Sequence, residues 1–340
     1  MIELIKNETR NFTKLNKMRK FLEKQDTVKH EEVVQFKDWN LTEDGLKIGK
    51  ETFGMRDSGM STLLRVFGMP NKFYYDKSPT DMLVRDVNRM KDEYTGDSEM
   101  LVFFQEDEVR AISKPSVCHA DRTNSILDNI GLNKSHFING AYSDLGMRVT
   151  TSKEEDTIKV TKEDEMQIGL DLIYSDVGHH SLSGSPHLLR LVCTNGLVVK
   201  EKSSFLSSFT MPSTFRSTED DYLKSLNENV KTVNIDSDIL RKTFKSMKEN
   251  SINALNNGEI QMKKIRSAMG TAKFDEHEKL SLKVISDDEK ERFVINTDLG
   301  LYKALDITTR LAKNYSQLGR RKLEILAGNL VTSSAMQFLN

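Results

Sequence analysis

Cys193, Thr194, Asn195 and Gly196 interrupt the strand-like run LLRLVCTNGLVVKEK at residues 188–202. A thiol beside a turn is a potential nucleophile, since a thiolate attacks readily once a base and an orienting group accompany it. Sequence spacing supplies no such third group here or at Cys118-His119. Asn-Gly between β-formers tolerates the positive φ of a type I′ turn. That reading accounts for Asn195 and Gly196 but not for Cys193 and Thr194, small polarisable groups just before the turn, where an active site or a ligand-contacting turn could also sit.

His179, His180 and His187, with Asp176, offer nitrogen and oxygen donors of the kind zinc takes. They lie in the Gly/Ser-rich stretch SDVGHHSLSGSPH without the fixed spacing of a helix or strand, so a solvated loop is expected and no metal. No stretch fits G-x-x-x-x-G-K-[ST], and no G-x-G-x-x-G follows a strand, so no nucleotide cofactor is expected. No catalytic residue is assigned, and the chain reads as non-enzymatic.

Cations offer the sharper pattern. The formal net charge of −1 hides local asymmetry: residues 241–266 carry seven Lys/Arg against two acids, and residues 301–322 carry six against one. On LYKALDITTRLAKNYSQLGRRK, Leu301, Leu305, Leu311, Tyr315 and Leu318 follow helical spacing, while Arg310, Lys313, Arg320 and Arg321 gather away from them. Such a band suits a phosphate backbone, and Lys263 and Lys264 could extend it. The acid-free segment SSFLSSFTMPSTFRST at 203–218 supplies Phe205, Phe209 and Phe215, rings on which single-stranded bases could stack.

These residues need elements to hold them. The pattern predicts an α+β protein: a mainly antiparallel β core with peripheral helices and a mostly helical C-terminal part. The expected divisions are a polar N-terminal arm over 1–30, an α+β core over 31–215, and a helical region over 216–340 packed on that core. Helices are expected over MSTLLRVFGMP, capped by Ser58 or Ser61 and ended by Gly68 before Pro70, and over SPTDMLVRDVNRMKDEY. EMLVFFQEDEVRAIS reads as a hairpin about Glu106-Asp107, and 136–206 reads as β throughout. A strand pair is expected around KLSLKVIS and RFVINT. With two cysteines 75 positions apart, no secretory leader and no apolar run near ~20 residues, the expected location is the cytoplasm, without a membrane partner and with both thiols reduced.

Arg190-Leu191-Val192-Cys193-Thr194-Asn195-Gly196-Leu197 resembles the R-x-V-C-T-N-G signature of a phage- and plasmid-encoded family, a domain of unknown function. LLRVFGMPNKFYYDKSP, VRAISKPS and ALDITTRLAKNYSQLGRRKLEILAGNLV are similar, in the same order, to further segments of that family, so the resemblance spans about residues 60–330. Asp306 stands near where relatives commonly carry an Asn-Ala pair. The resemblance implies a mobile-element setting, hence the cytoplasm of a host cell, and no settled activity. Combined with the cationic and aromatic segments, it gives the expectation of a protein binding nucleic acid, single-stranded DNA above all, in replication or recombination, with homo-oligomers extending the groove. A host-factor-binding protein used in takeover or counter-defence is the first alternative. A hydrolase or nucleotide-modifying enzyme using residues 176–196 is the second.

Overall fold

Apolar residues over 29–55 and the continuous apolar run of 100–104 build the first of two large sheets in the computed structural model. It describes residues 2–70, 73–74, 78–96, 98–115, 123–130, 136–152, 157–159, 165–190, 195–199, 205–211, 219–271, 299–313, 315 and 317–339. The chain opens with β1 (Thr9–Phe12) and α1 (Leu15–Val28). The six-stranded sheet then comprises β2 (Lys29–Gln35), β3 (Trp39–Thr42), β4 (Gly45–Ile48), β5 (Glu51–Met55), β6 (Glu99–Gln105) and β7 (Glu108–Ser113). Its order is β2-β6-β7-β5-β4-β3, antiparallel except where β5 meets β7. β6 and β7 form the expected hairpin, with Glu106 at φ 55°.

α2 (Asp57–Val66) and α3 (Thr80–Asp92) lie between β5 and β6. α2 ends where the sequence indicates, at Gly68 with φ 67°, a conformation glycine adopts without steric cost. Its start differs from expectation: the helix begins at Asp57, and Asn7 Oδ1 accepts the Ser58 N–H at 2.8 Å. Trp39, Leu46, Leu63, Val87, Val102 and Phe104 share the core of this part.

The second sheet follows α4 (Thr123–Asn129) and contains β8 (His136–Ser143), β9 (Gly146–Ser152), β10 (Thr157–Lys159), β11 (Glu165–Tyr174), β12 (Leu182–Arg190) and β13 (Asn195–Val198). Its main path is β1-β8-β9-β11-β12-β13, antiparallel at each step. β14 (Leu206–Ser207) pairs with β16 (Asn234–Ile235), while β15 (Phe209–Met211) adds to β12. This is the α+β architecture, mainly antiparallel, that the sequence predicts.

α5 (Glu219–Thr232), α6 (Ser237–Glu249), α7 (Gly258–Thr271), α8 (Leu301–Ala312) and α9 (Gln317–Phe338) make the C-terminal part helical. The Asp236 side chain caps α6 by accepting the N–H groups of Asp238 and Ile239. Leu301, Leu305, Leu311, Leu323 and Leu330 join Leu188, Leu197 and Val199 in one core. The segments KLSLKVIS and RFVINT fall outside the described residues. Among the described residues no helix is long and apolar enough to cross a membrane.

Candidate functional site

Arg190 is the last residue of β12 and points its guanidinium at α8. There it pairs with Asp306 and lies over the Tyr302 ring, 5.3 Å from its centroid. Lys248 of α6 approaches the same ring at 4.8 Å, and Arg310 meets Asp306 at 3.0 Å. Tyr302, Asp306, Arg310 and Lys313 are spaced i, i+4, i+8 and i+11, which keeps them on one stripe of the helix. Two cations, Arg190 and Lys248, thus lie over one aromatic ring, and two, Arg190 and Arg310, meet one carboxylate. The arginines are only partly enclosed, with 18% of the Arg190 and 29% of the Arg310 side chain exposed, and Lys313 is exposed. A partly wet ring under cations can take an anion and a flat apolar surface together.

A second charged group is buried between the sheet and α9. Arg321 Nε donates to Asp171 Oδ2 at 2.8 Å, and Arg148 Nε donates to Asp171 Oδ1 at 2.5 Å. Arg148 Nη2 donates to Glu324 Oε2 at 2.5 Å, and Arg320 Nε to Glu324 Oε1 at 2.8 Å. The result is an alternating chain Arg321–Asp171–Arg148–Glu324–Arg320. Burial alone would raise the Asp171 and Glu324 carboxyls, but Arg148 above all, then Arg321 and Arg320 respectively, hold both below the ordinary range. His187 lies nearby, 1% exposed. Burial pushes its imidazole down although Glu324 and Asp171 pull it up, so the ring is neutral at pH 7.

Of the described signature residues, Arg190 belongs to the first group and Gly196 lies against His187 beside the second. Arg190 pairs with Asn195 and Leu189 with Gly196, so Asn195 and Gly196 are strand residues of β13, not the turn that their types suggest. Gly196 has no positive φ. Its missing side chain is explained by His187, whose Nε2 lies 2.2 Å from where a Cβ would stand. Gly328, in the A-G element of α9, likewise leaves room for the Val198 carbonyl, 2.1 Å from its would-be Cβ. Cys193 and Thr194 lie outside the described residues.

The cationic candidates are also redistributed. Arg321 is buried and Arg320 largely so, both held by carboxylates, while Arg310 and Lys313 belong to the stripe beside Arg190. Lys263 and Lys264 are exposed on α7. Phe205 and Phe209 are buried in separate cores and therefore fill space below the surface; Phe215 lies outside the described residues.

His179 and His180 meet edge to face at 4.4 Å, and burial, then His180 and Arg65, push His179 down to about 4. Asp176 is occupied by Lys29 and Arg110, far along the chain from either. Among the described residues no group of three His, Cys, Asp or Glu is placed to hold a metal ion. Cys118 and His119 lie outside the described residues. Lys248, Tyr302, Arg148, Asp171 and Glu324 escaped sequence reading. Only the i, i+4, i+8 spacing of Tyr302, Asp306 and Arg310 was a signal available there. Comparison with protein-family models, curated proteins and solved structures gives no match.

Proposed function

We propose that this chain is a non-enzymatic nucleic-acid-binding protein, with single strands as its preferred ligand, acting in the cytoplasm of a host cell in the mobile-element setting that the signature resemblance implies. The observation that carries the reading is the convergence of Arg190, Lys248 and Arg310 on Tyr302 and Asp306. Phosphate contacts need cations at the surface, and base stacking needs an accessible ring face or guanidinium plane. Arg310 and Lys313 keep the role expected of them. Arg190, Lys248 and Tyr302 replace Arg321, Phe205 and Phe209, whose side chains are buried, and Arg320, which is held by the buried Glu324.

Binding of fluorescent single strands over a salt series tests this. The parent should bind oligothymidylate with an affinity that falls as salt rises. The exposed substitutions Lys248→Glu and Lys313→Glu together should weaken binding and flatten the slope of log K against log salt by about 0.7 per lost contact. The loss should be alike for oligonucleotides of different sequence, because phosphate contacts carry no direct sequence information. A parent that binds no strand at low salt, or a folded double variant that binds like the parent, would sink the reading.

A further inference from the structure

α1 carries an exposed lysine face that nothing in the site above uses. Met18, Leu22 and Gln25 turn one side of the helix into the core, and Lys17, Lys20 and Lys24 stand exposed at i, i+3 and i+7 on the other. Adjacent to it, Arg10 on the edge strand β1 pairs with Glu8 at 3.0 Å, lies over the Phe21 ring at 5.1 Å and keeps 59% of its side chain exposed. Arg19, on the flank of the helix, pairs with Asp128, and among the described residues it is the one α1 cation in an ion pair. Cations repeating along one helix face with a ring beside them are what a single strand requires: charge to follow its phosphates and a flat surface for a base.

The place of this face in the fold matters as much as its composition. β1 and β13 are the two ends of the path β1-β8-β9-β11-β12-β13, five inter-strand steps that at about 4.8 Å each separate the edges by roughly 24 Å. α1 follows the first edge, whereas α8 packs against β13 at the other and pairs with Arg190 of the adjoining β12. One strand running along α8 therefore leaves the α1 face open to another.

We infer that the Lys17–Lys20–Lys24 face of α1 is a second strand-binding surface, so that one molecule holds two single strands at once. This rests on the nucleic-acid reading proposed above and adds to it an activity, the bridging of two strands. The test mixes donor-labelled and acceptor-labelled oligothymidylates of about 30 nucleotides, which cannot pair with each other, and reads energy transfer on adding protein. The parent should produce transfer. A Lys17→Glu, Lys20→Glu, Lys24→Glu variant should lose it while still binding one labelled strand, and the matching triple Gln variant should lose it in part. A folded Glu variant that bridges as the parent does, or a parent that binds single strands without bridging them, overturns the second surface and leaves the first reading standing. A parent that binds no strand overturns both.

Discussion

A side chain at position 196 would place its Cβ 2.2 Å from His187 Nε2, so this glycine is required by a neighbour and not by its own backbone angle. In an ordinary strand position alanine would outdo glycine, because it loses less backbone freedom on folding. Here the overlap decides the sign. Gly196→Ala should destabilise the fold by about 1–3 kcal/mol in urea denaturation, the usual cost of overpacking a core. The cause can be isolated: in a His187→Ser background, where the ring is gone, the same substitution should cost clearly less, giving a coupling of roughly 0.5–3 kcal/mol. Additive costs would show that the ring is not what Gly196 accommodates. The sequence hid this because Asn-Gly is such a strong turn signal that the alternative use of a strand glycine, room for a close neighbour, is not distinguishable without the partner strand.

At the scale of elements, what the sequence reveals depends on how local its cause is. The β6–β7 hairpin, the Gly68 stop of α2 and the Asp236 cap of α6 arise from residues within a few positions of each other, and the first two were legible. The role of α9 was not. Arg320 and Arg321 look like a solvent-facing pair until Glu324 and Asp171 are seen, and Asp171 lies 150 positions from Arg321. Periodicity reports which face of a helix is apolar, but it cannot tell a wet cation from one buried against a distant carboxylate. Phe205 and Phe209 escaped for the same reason, since an adaptable polar segment and a core plug share one composition. The docking of α9 has its own test. Alanine in a helix interior is favoured over glycine by about 1 kcal/mol, yet the Val198 carbonyl lies 2.1 Å from the Cβ that Gly328→Ala would add. That variant should therefore lower the urea midpoint, whereas a gain in stability would mean that α9 does not approach β13 so closely.

For the molecule as a whole, the join between the two sheets is ionic as much as apolar. Leu101, Phe103, Ala111 and Val177 form a small buried cluster, and around it Arg56 bonds Asp144 at 3.1 Å while Arg110 and Lys29 bond Asp176 at 3.0 and 3.1 Å. Lys29 and Arg110 come from the six-stranded sheet, whereas Asp144 follows β8 and Asp176 follows β11. Burial would raise the Asp176 carboxyl, but Arg110 first and Lys29 second hold it well below the ordinary carboxylate range. Removing the charge strands a guanidinium that is 2% exposed, so Asp176→Asn should cost about 3–5 kcal/mol at neutral pH, against a change within about 0.5 kcal/mol for Asp92→Asn on the surface. The pH dependence has a definite sign. With its folded pKa depressed, Asp176 contributes its full stabilisation above the unfolded value near 3.9 and loses it as pH falls below that toward the folded value. The stability gap between parent and Asp176→Asn should therefore stay constant from pH 7 to about pH 5 and narrow as pH drops below about 4. Denaturation curves at each pH measure it. A gap that stays constant into acid, or a variant as stable as the parent at pH 7, would mean that this carboxylate does not hold the sheets together.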